Sequence, residues 1–336
     1  MLTSAKDLRI AAIIGHADDP EMLDACIAHH LAVGAANVFV SVNRGEPELD
    51  RLIAGDERVR AVPIDDFSQQ DVFQYFTNAV REVERWAAPN FVLLTDSDEF
   101  WLPQSGDLRS VAGLDQTDLL IVERYNAFPQ RSTEGTVLAP DYRNPYRAPM
   151  ILAREPLEQA YQANDHRVPW IFAADAPKLI VRPSMVQSVG PGGHNIVATD
   201  PGLRWMVPAD LVILHAPFTD EARFRRKIAS VRQVLASHAP RFNERQAWHW
   251  RYWLSLDDDA LGAEFRRQAI PVAALGVLAR DAVVGSAEEL YRQLEWHSTP
   301  LRGDALDEFL ERAITNYDRV LTHTNRTLIR GLPSER

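Results

Sequence analysis

The sequence predicts an α/β fold: a mixed, mostly parallel sheet flanked by helices, followed by a helical C-terminal region. Three observations carry this. Short apolar, β-branched runs alternate with helical patterns through the first hundred residues, as strands and crossover helices do. Those runs close on Gly15, Asn43 and Asp96, residue types that end strands in loops. The chain has 336 residues, 46% of them hydrophobic and 25% charged, enough to bury a sizeable core.

Taken in order, residues 9–15 (RIAAIIG) form a first buried strand ending in a glycine. A helix follows from Asp19 or Pro20 to about Val33. Proline suits its first turn and Gly34 stops it. VFVSV (38–42) is a second strand closed by Asn43, Arg44 and Gly45. A helix over 46–54, a strand over 59–64 and a longer helix over 69–86 come next. FVLLT (91–95) then runs straight into Asp96. Beyond Trp101, residues 118–128, 177–183 and 210–218 read as strands, and 189–196 as a glycine-rich loop. From Thr219 the pattern turns helical, with Trp248, Trp250, Tyr252 and Trp253 as an aromatic stretch. The expected division is therefore a catalytic domain over 1–218 and a helical region over 219–336. Large aromatics dominate cores, so docking of that region is the expected role of its tryptophans. Trp101 and Trp170 could instead stack on an acceptor sugar.

The net charge of −11 argues against non-specific nucleic-acid binding, which needs a basic surface. An anionic substrate would then require a local basic pocket or a bound metal ion. One cysteine, Cys26, forms no intramolecular disulfide and suits a reducing, cytoplasmic setting. No run approaches the roughly 20 apolar residues of a spanning helix, so no transmembrane segment is expected.

The chemistry concentrates in T-D-S-D-E-F-W (95–101), set directly after an apolar strand. In open α/β sheets ligands bind beyond the carboxyl ends of the strands. Asp96 and Asp98 at such an end can converge on a hard cation, Mn2+ or Mg2+, which takes carboxylate oxygens plus substrate phosphates. The cation would stabilise a departing nucleoside diphosphate. His194, in the glycine-rich loop, is a further candidate for metal or diphosphate, because glycine permits close approach. His215, at a strand end, is the alternative metal ligand. His29 and His30 sit mid-helix, where packing explains them better.

Several segments together resemble the family-2-like GT-A glycosyltransferases: G-H-A-D-D (15–19), I-A-H-H-L-A-V-G (27–34), V-F-V-S-V-N (38–43) and L-L-T-D-S-D-E-F (93–100). P-K-L-I-V-R-P (177–183), the G-G-H loop ending at His194, I-L-H-A-P-F (213–218) and F-R-R-K (224–227) extend the likeness to about residue 230. The resemblance implies a GT-A fold, a nucleotide-sugar donor and a carbohydrate, lipid-linked or other hydroxyl acceptor. It implies Asp96 near the ribose or metal and Asp98 on the metal. Gly15, His16 and Asp18 would line the nucleobase and ribose pocket, as would Asn43. Lys178 and Lys227 would touch the diphosphate. The chain departs from the pattern at Asn43, where relatives carry aspartate, and at His16–Ala17.

An inverting transfer requires a general base. Asp165, in the polar N-D-H-R loop, is the first candidate, with Glu99, Glu123 and Asp175 also available. A retaining enzyme would need none. Two other functions compete: a non-catalytic nucleotide-sugar or carbohydrate-binding protein on the same fold, and a sugar-phosphate nucleotidyltransferase. The latter would carry a G-x-G-T-R-like loop after the first strand, which IIGHADDP lacks.

Overall fold

The computed structural model describes residues 7–15, 20–43, 55–64, 74–155, 157–238, 248–294 and 301–302. The chain divides into two units interleaved in sequence. One comprises Met1–Arg124, Ala176–Ile213 and Tyr291–Glu311; the other comprises Tyr125–Asp175, Leu214–Leu290 and Arg312–Arg336.

The first unit is α/β, with a mostly parallel central sheet. Its elements are β1 (Ile10–Gly15), α1 (Pro20–Ala32), β2 (Asn37–Asn43), β3 (Val59–Ile64), α2 (Tyr75–Ala87), β4 (Phe91–Asp96), β5 (Glu99–Pro103) and β6 (Leu119–Val122). They continue with β7 (Lys178–Val181), β8 (Val186–Val189), β9 (Ile196–Ala198), β10 (Arg204–Met206) and β11 (Leu301–Arg302). Eight strands form one sheet in the order β11-β10-β6-β7-β4-β1-β2-β3. β1 pairs in parallel with β2 and β4, β2 with β3, and β10 with β6. β7 runs antiparallel to both β4 and β6, and β11 antiparallel to β10.

Burial explains why β1 and β4 read as continuous apolar runs. A parallel strand covered on both faces has no polar side to show, and residues 10–14 and 91–95 are all buried. Helix α2 lays Tyr75, Phe76, Ala79, Val80 and Val83 against Ile13, Leu94, Ile121 and Leu179 of the sheet. It ends where Ala88 turns left-handed, φ 43°, and donates its N–H back to the Glu84 carbonyl. α1 begins at Pro20, as the sequence predicts, and stops before Gly34, φ 99°. The strand expected over 118–128 breaks into Leu119–Val122 and Arg124–Asn126. The helix expected over 46–54 falls outside the described residues.

The second unit buries Phe128, Ile151, Trp170 and Phe172 with Phe218, Phe224, Trp253 and Phe265. That shared aromatic core explains the main departure from the expected layout. Residues 125–175 join 214–290, so no single boundary falls at residue 218. Trp248 and Trp250 pack half-buried against the same core, within their own unit. Helices Glu221–His238, Trp248–Leu254, Asp258–Gln268 and Val272–Arg280 supply most of its regular structure. Among the described residues, no helix is long and apolar enough to cross a membrane.

Candidate functional site

The strand order fixes where a ligand crevice can form. From β1 the chain winds outward through β2 and β3, then returns to place β4 on the other side of β1. Such a reversal between parallel strands is a switch point, and ligands bind outside the carboxyl ends there. Gly15 ends β1, Asp96 ends β4, and the two are paired in register. The Ser97 N–H donates to the Gly15 carbonyl at 3.1 Å, closing the turn. A Cβ added to Gly15 would lie 3.3 Å from Asp96 Oδ1. The missing side chain therefore keeps one face of that carboxylate uncrowded.

The carboxylates at this turn differ in environment. The Asp96 side chain is 40% exposed, whereas Asp98 is 3% exposed and Glu99 wholly buried. Glu99 is a hub rather than a base. Its Oε2 accepts from the Asp96 backbone N–H at 2.9 Å and from Thr95 Oγ1 at 3.2 Å, and Lys178 Nζ lies at 3.3 Å. Its Oε1 accepts from Arg124 Nη1 at 2.6 Å. Burial, together with Asp96 and Asp98, holds the Glu99 carboxyl above its ordinary range, against the pull of Lys178 and Arg124. Both oxygens of Glu99, expected as a catalytic candidate, are engaged by groups inside the protein.

Lys178, expected at the diphosphate, is likewise engaged inside the protein. Its ammonium is fully buried and donates to Asp96 Oδ2 at 2.7 Å and to the Gly192 carbonyl at 2.6 Å, beside Glu99. Two of its three donors are thus spent on protein oxygens, with the Glu99 carboxylate alongside. Trp101 is also core: its indole N–H donates to Thr95 Oγ1 at 3.0 Å, and no face is exposed for a sugar.

Beneath the turn lies a neutral support that the sequence presents only as core. The Cys26 thiol approaches the Glu99 carbonyl at 3.6 Å and the Asp96 carbonyl at 3.8 Å. Burial, followed by Glu99, Asp98 and Asp96, pushes the thiol well above its usual range. His30 Nδ1–H donates to the Cys26 carbonyl at 2.7 Å, and His29 Nε2–H to the Trp101 carbonyl at 2.7 Å. Burial lowers His29 to about 4 and His30 to about 3. Below about pH 6.5 the unfolded chain takes up two protons that the folded chain refuses until those values. Stability is therefore expected to fall with pH from 6.5 towards 4, by up to about 1.4 kcal/mol per unit for each histidine. Urea unfolding at pH 7, 6 and 5 checks this: His29→Gln and His30→Gln together should flatten the trend. An unaltered slope would place the acid sensitivity elsewhere.

The glycine-rich loop is tight. Gly192 and Gly193 have φ 69° and 71°, a region that favours glycine. A Cβ at Gly193 would lie 3.0 Å from Leu94 Cβ, so the loop backbone rests directly on β4. His194 Nδ1–H donates to the Pro177 carbonyl at 2.8 Å. A carbonyl can only accept, so Nδ1 carries a proton in this contact.

The remaining predicted residues are placed as follows. His16 and Asp18 lie outside the described residues. Asn43 ends β2, beside β1, and its side chain is also outside them. Asp165 belongs to the second unit, with Oδ1 and Oδ2 held by Arg167 at 2.7 and 2.5 Å in a loop. Lys227 sits over the Trp250 ring at 5.9 Å, a cation–π contact within the second unit. Trp170 is buried and stacks on His249 rather than presenting a face to a sugar.

The second unit also holds an oriented imidazole. His215 Nδ1–H donates to Asn126 Oδ1 at 2.8 Å, with Asp175 Oδ2 at 3.8 Å. The Asn126 amide donates to the Ile171 carbonyl at 3.0 Å, which fixes which end faces the histidine. Sequence reading found His215 and Asp175 but not Asn126, whose pairing spans 89 residues.

Two carboxylates one residue apart at a strand end are hard-oxygen donors of the kind magnesium and manganese take. Among the described residues, no group of three His, Cys, Asp or Glu side chains is placed to hold a metal. A divalent ion here would therefore complete its shell with substrate phosphates and water, a common arrangement for magnesium. Asp96 and Asp98 are the carboxylates that would hold such an ion.

No known protein family matches the sequence, and no curated protein matches it. Among solved structures, Rv0371c of Mycobacterium tuberculosis H37Rv in complex with manganese aligns over 38% of this chain and 67% of its own. Identity there is 14% and the TM-score 0.22. A second structure of Rv0371c aligns over 39% of this chain and 68% of its own, with 12% identity and TM-score 0.21. Likeness at that level assigns neither a fold family nor an activity.

Proposed function

We propose that the protein is a metal-dependent glycosyltransferase of the GT-A type, acting in the cytoplasm on a nucleotide-sugar donor and a hydroxyl acceptor. One observation carries the reading. The switch point of a mostly parallel sheet sets Gly15 beside Asp96, with Asp98 two residues on. A glycine that lets a ligand approach and acidic groups suited to Mn2+ or Mg2+ therefore share one strand edge. When bound, the cation would neutralise charge on the donor's diphosphate. The protein's part is to hold the Asp96 carboxylate in place, with Glu99 accepting the Asp96 backbone N–H and Lys178 fixing Oδ2. The sequence resemblance to the GT-A glycosyltransferases supports this reading.

The test is incubation with Mn2+ and a panel of uridine and guanosine nucleotide sugars, with release of nucleoside diphosphate as the readout. Release with at least one donor, abolished by chelation, is expected. The engagement of Glu99 and Asp165 in ion pairs favours one second reading, a protein that binds donor without transferring it. Donor binding with no release under any acceptor condition would establish that reading. Release or consumption of pyrophosphate would point instead to nucleotidyl transfer.

A further inference from the structure

We infer that Lys178 is a positioning residue: a resident cation that ties Asp96 to the glycine-rich loop and competes with an added divalent ion for the Asp96 carboxylate. This rests on the proposed site for its cation and on the hydrogen bonds alone for its loop. β7 lies antiparallel beside β4, with Ile180 opposite Leu93, which brings the start of β7 next to the end of β4. From there Lys178 donates to Asp96 Oδ2 and to the Gly192 carbonyl at 2.7 and 2.6 Å. The neighbouring Pro177 carbonyl accepts from His194 Nδ1 at 2.8 Å. Two successive residues thus clamp the loop at Gly192 and His194, and one of them also grips the acidic turn.

The consequence is electrostatic. Three carboxyl groups, Asp96, Asp98 and Glu99, crowd one turn beside the buried Lys178 and Arg124. With the ammonium on Oδ2, Asp96 offers an arriving cation only Oδ1. Lysine is a compact point charge, so it holds this turn together in the absence of metal while reducing the pull on metal. Removing it exposes the second oxygen and adds one net negative charge at close range.

Two readouts test this: Mn2+ binding by calorimetry, and amide hydrogen exchange of residues 190–194. In folded Lys178→Met, Mn2+ affinity is expected to rise about tenfold, the effect of one charge a few ångströms away in a partly screened site. Exchange in the loop should rise at the same time. Lys178→Arg keeps the charge and should leave Mn2+ affinity within about threefold of the parent, the range set by altered geometry alone. A residue that merely supports the fold would lower Mn2+ affinity on removal. Affinity that is unchanged or weaker in folded Lys178→Met therefore overturns the competition.

If the buried substitutions fail to fold, Asp96→Asn carries the test from the half-exposed end of the pair. It should raise exchange of residues 190–194 several-fold, because the clamp loses its charged anchor. Unchanged loop exchange in that variant overturns the coupling. If the parent protein binds no Mn2+ while loop exchange still responds, the metal reading and the competition fail together and the loop coupling stands.

Discussion

Asp98→Asn is expected to abolish metal-dependent release of nucleoside diphosphate, by about a thousandfold or more, while the protein keeps its unfolding midpoint. The size follows from the several kcal/mol of transition-state charge stabilisation a metal supplies, at about 1.4 kcal/mol per factor of ten. Asp98 sits in the turn after β4, where its charge acts on Cys26 and Glu99. Steady-state release assays with saturating Mn2+, paired with thermal melts, separate the two effects. Near-parental turnover in the variant would remove Asp98 from the site.

Glu99→Ala should act in the opposite way, through the fold. Glu99 accepts from Arg124, Thr95 and the Asp96 backbone and lies against Lys178, all at or beside the turn. Breaking a buried ion pair by deleting one partner typically costs about 3–5 kcal/mol, because the other charge is stranded. Arg124 would lose its buried carboxylate here, while Lys178 keeps Asp96. A cost of that size is a large share of the roughly 5–15 kcal/mol by which proteins are stable. Urea unfolding measures it, and a loss under about 1 kcal/mol would contradict the hub described for Glu99. The contrast between the two variants distinguishes the carboxylate proposed to serve the ligand from the one that serves the turn.

The parts of this account that were legible in the sequence are those carried by local pattern. β1 and β4 announce themselves as apolar runs because both faces are covered, and Pro20 and Gly34 bracket α1 because their backbone preferences are local. The acidic turn was visible for the same reason: it follows an unbroken strand. What could not be read were the pairings across long separations. Glu99 meets Arg124 and Lys178 only because an antiparallel strand, β7, is inserted beside β4. No period in the sequence encodes that insertion. The sequence therefore offers Lys178 and Glu99 as ligand or catalytic candidates without showing that Lys178 pairs with Asp96 and Glu99 with Arg124. Trp101, next to the acidic turn, invited a sugar-stacking role for the same reason, yet its indole closes the hydrogen-bond chain through Thr95 to Glu99. The interleaving of the two units depended on aromatic contacts between residues 128–172 and 218–265, again a matter of separation rather than pattern.

The most direct measurement is a crystal structure with manganese and uridine or guanosine diphosphate, read by the anomalous signal of the metal. The account predicts a manganese peak within bonding distance of Asp96 Oδ1 and an Asp98 oxygen, with phosphate oxygens completing its shell at the carboxyl ends of β1 and β4. A diphosphate seated at another edge of the sheet, or a metal that touches neither aspartate, would contradict it.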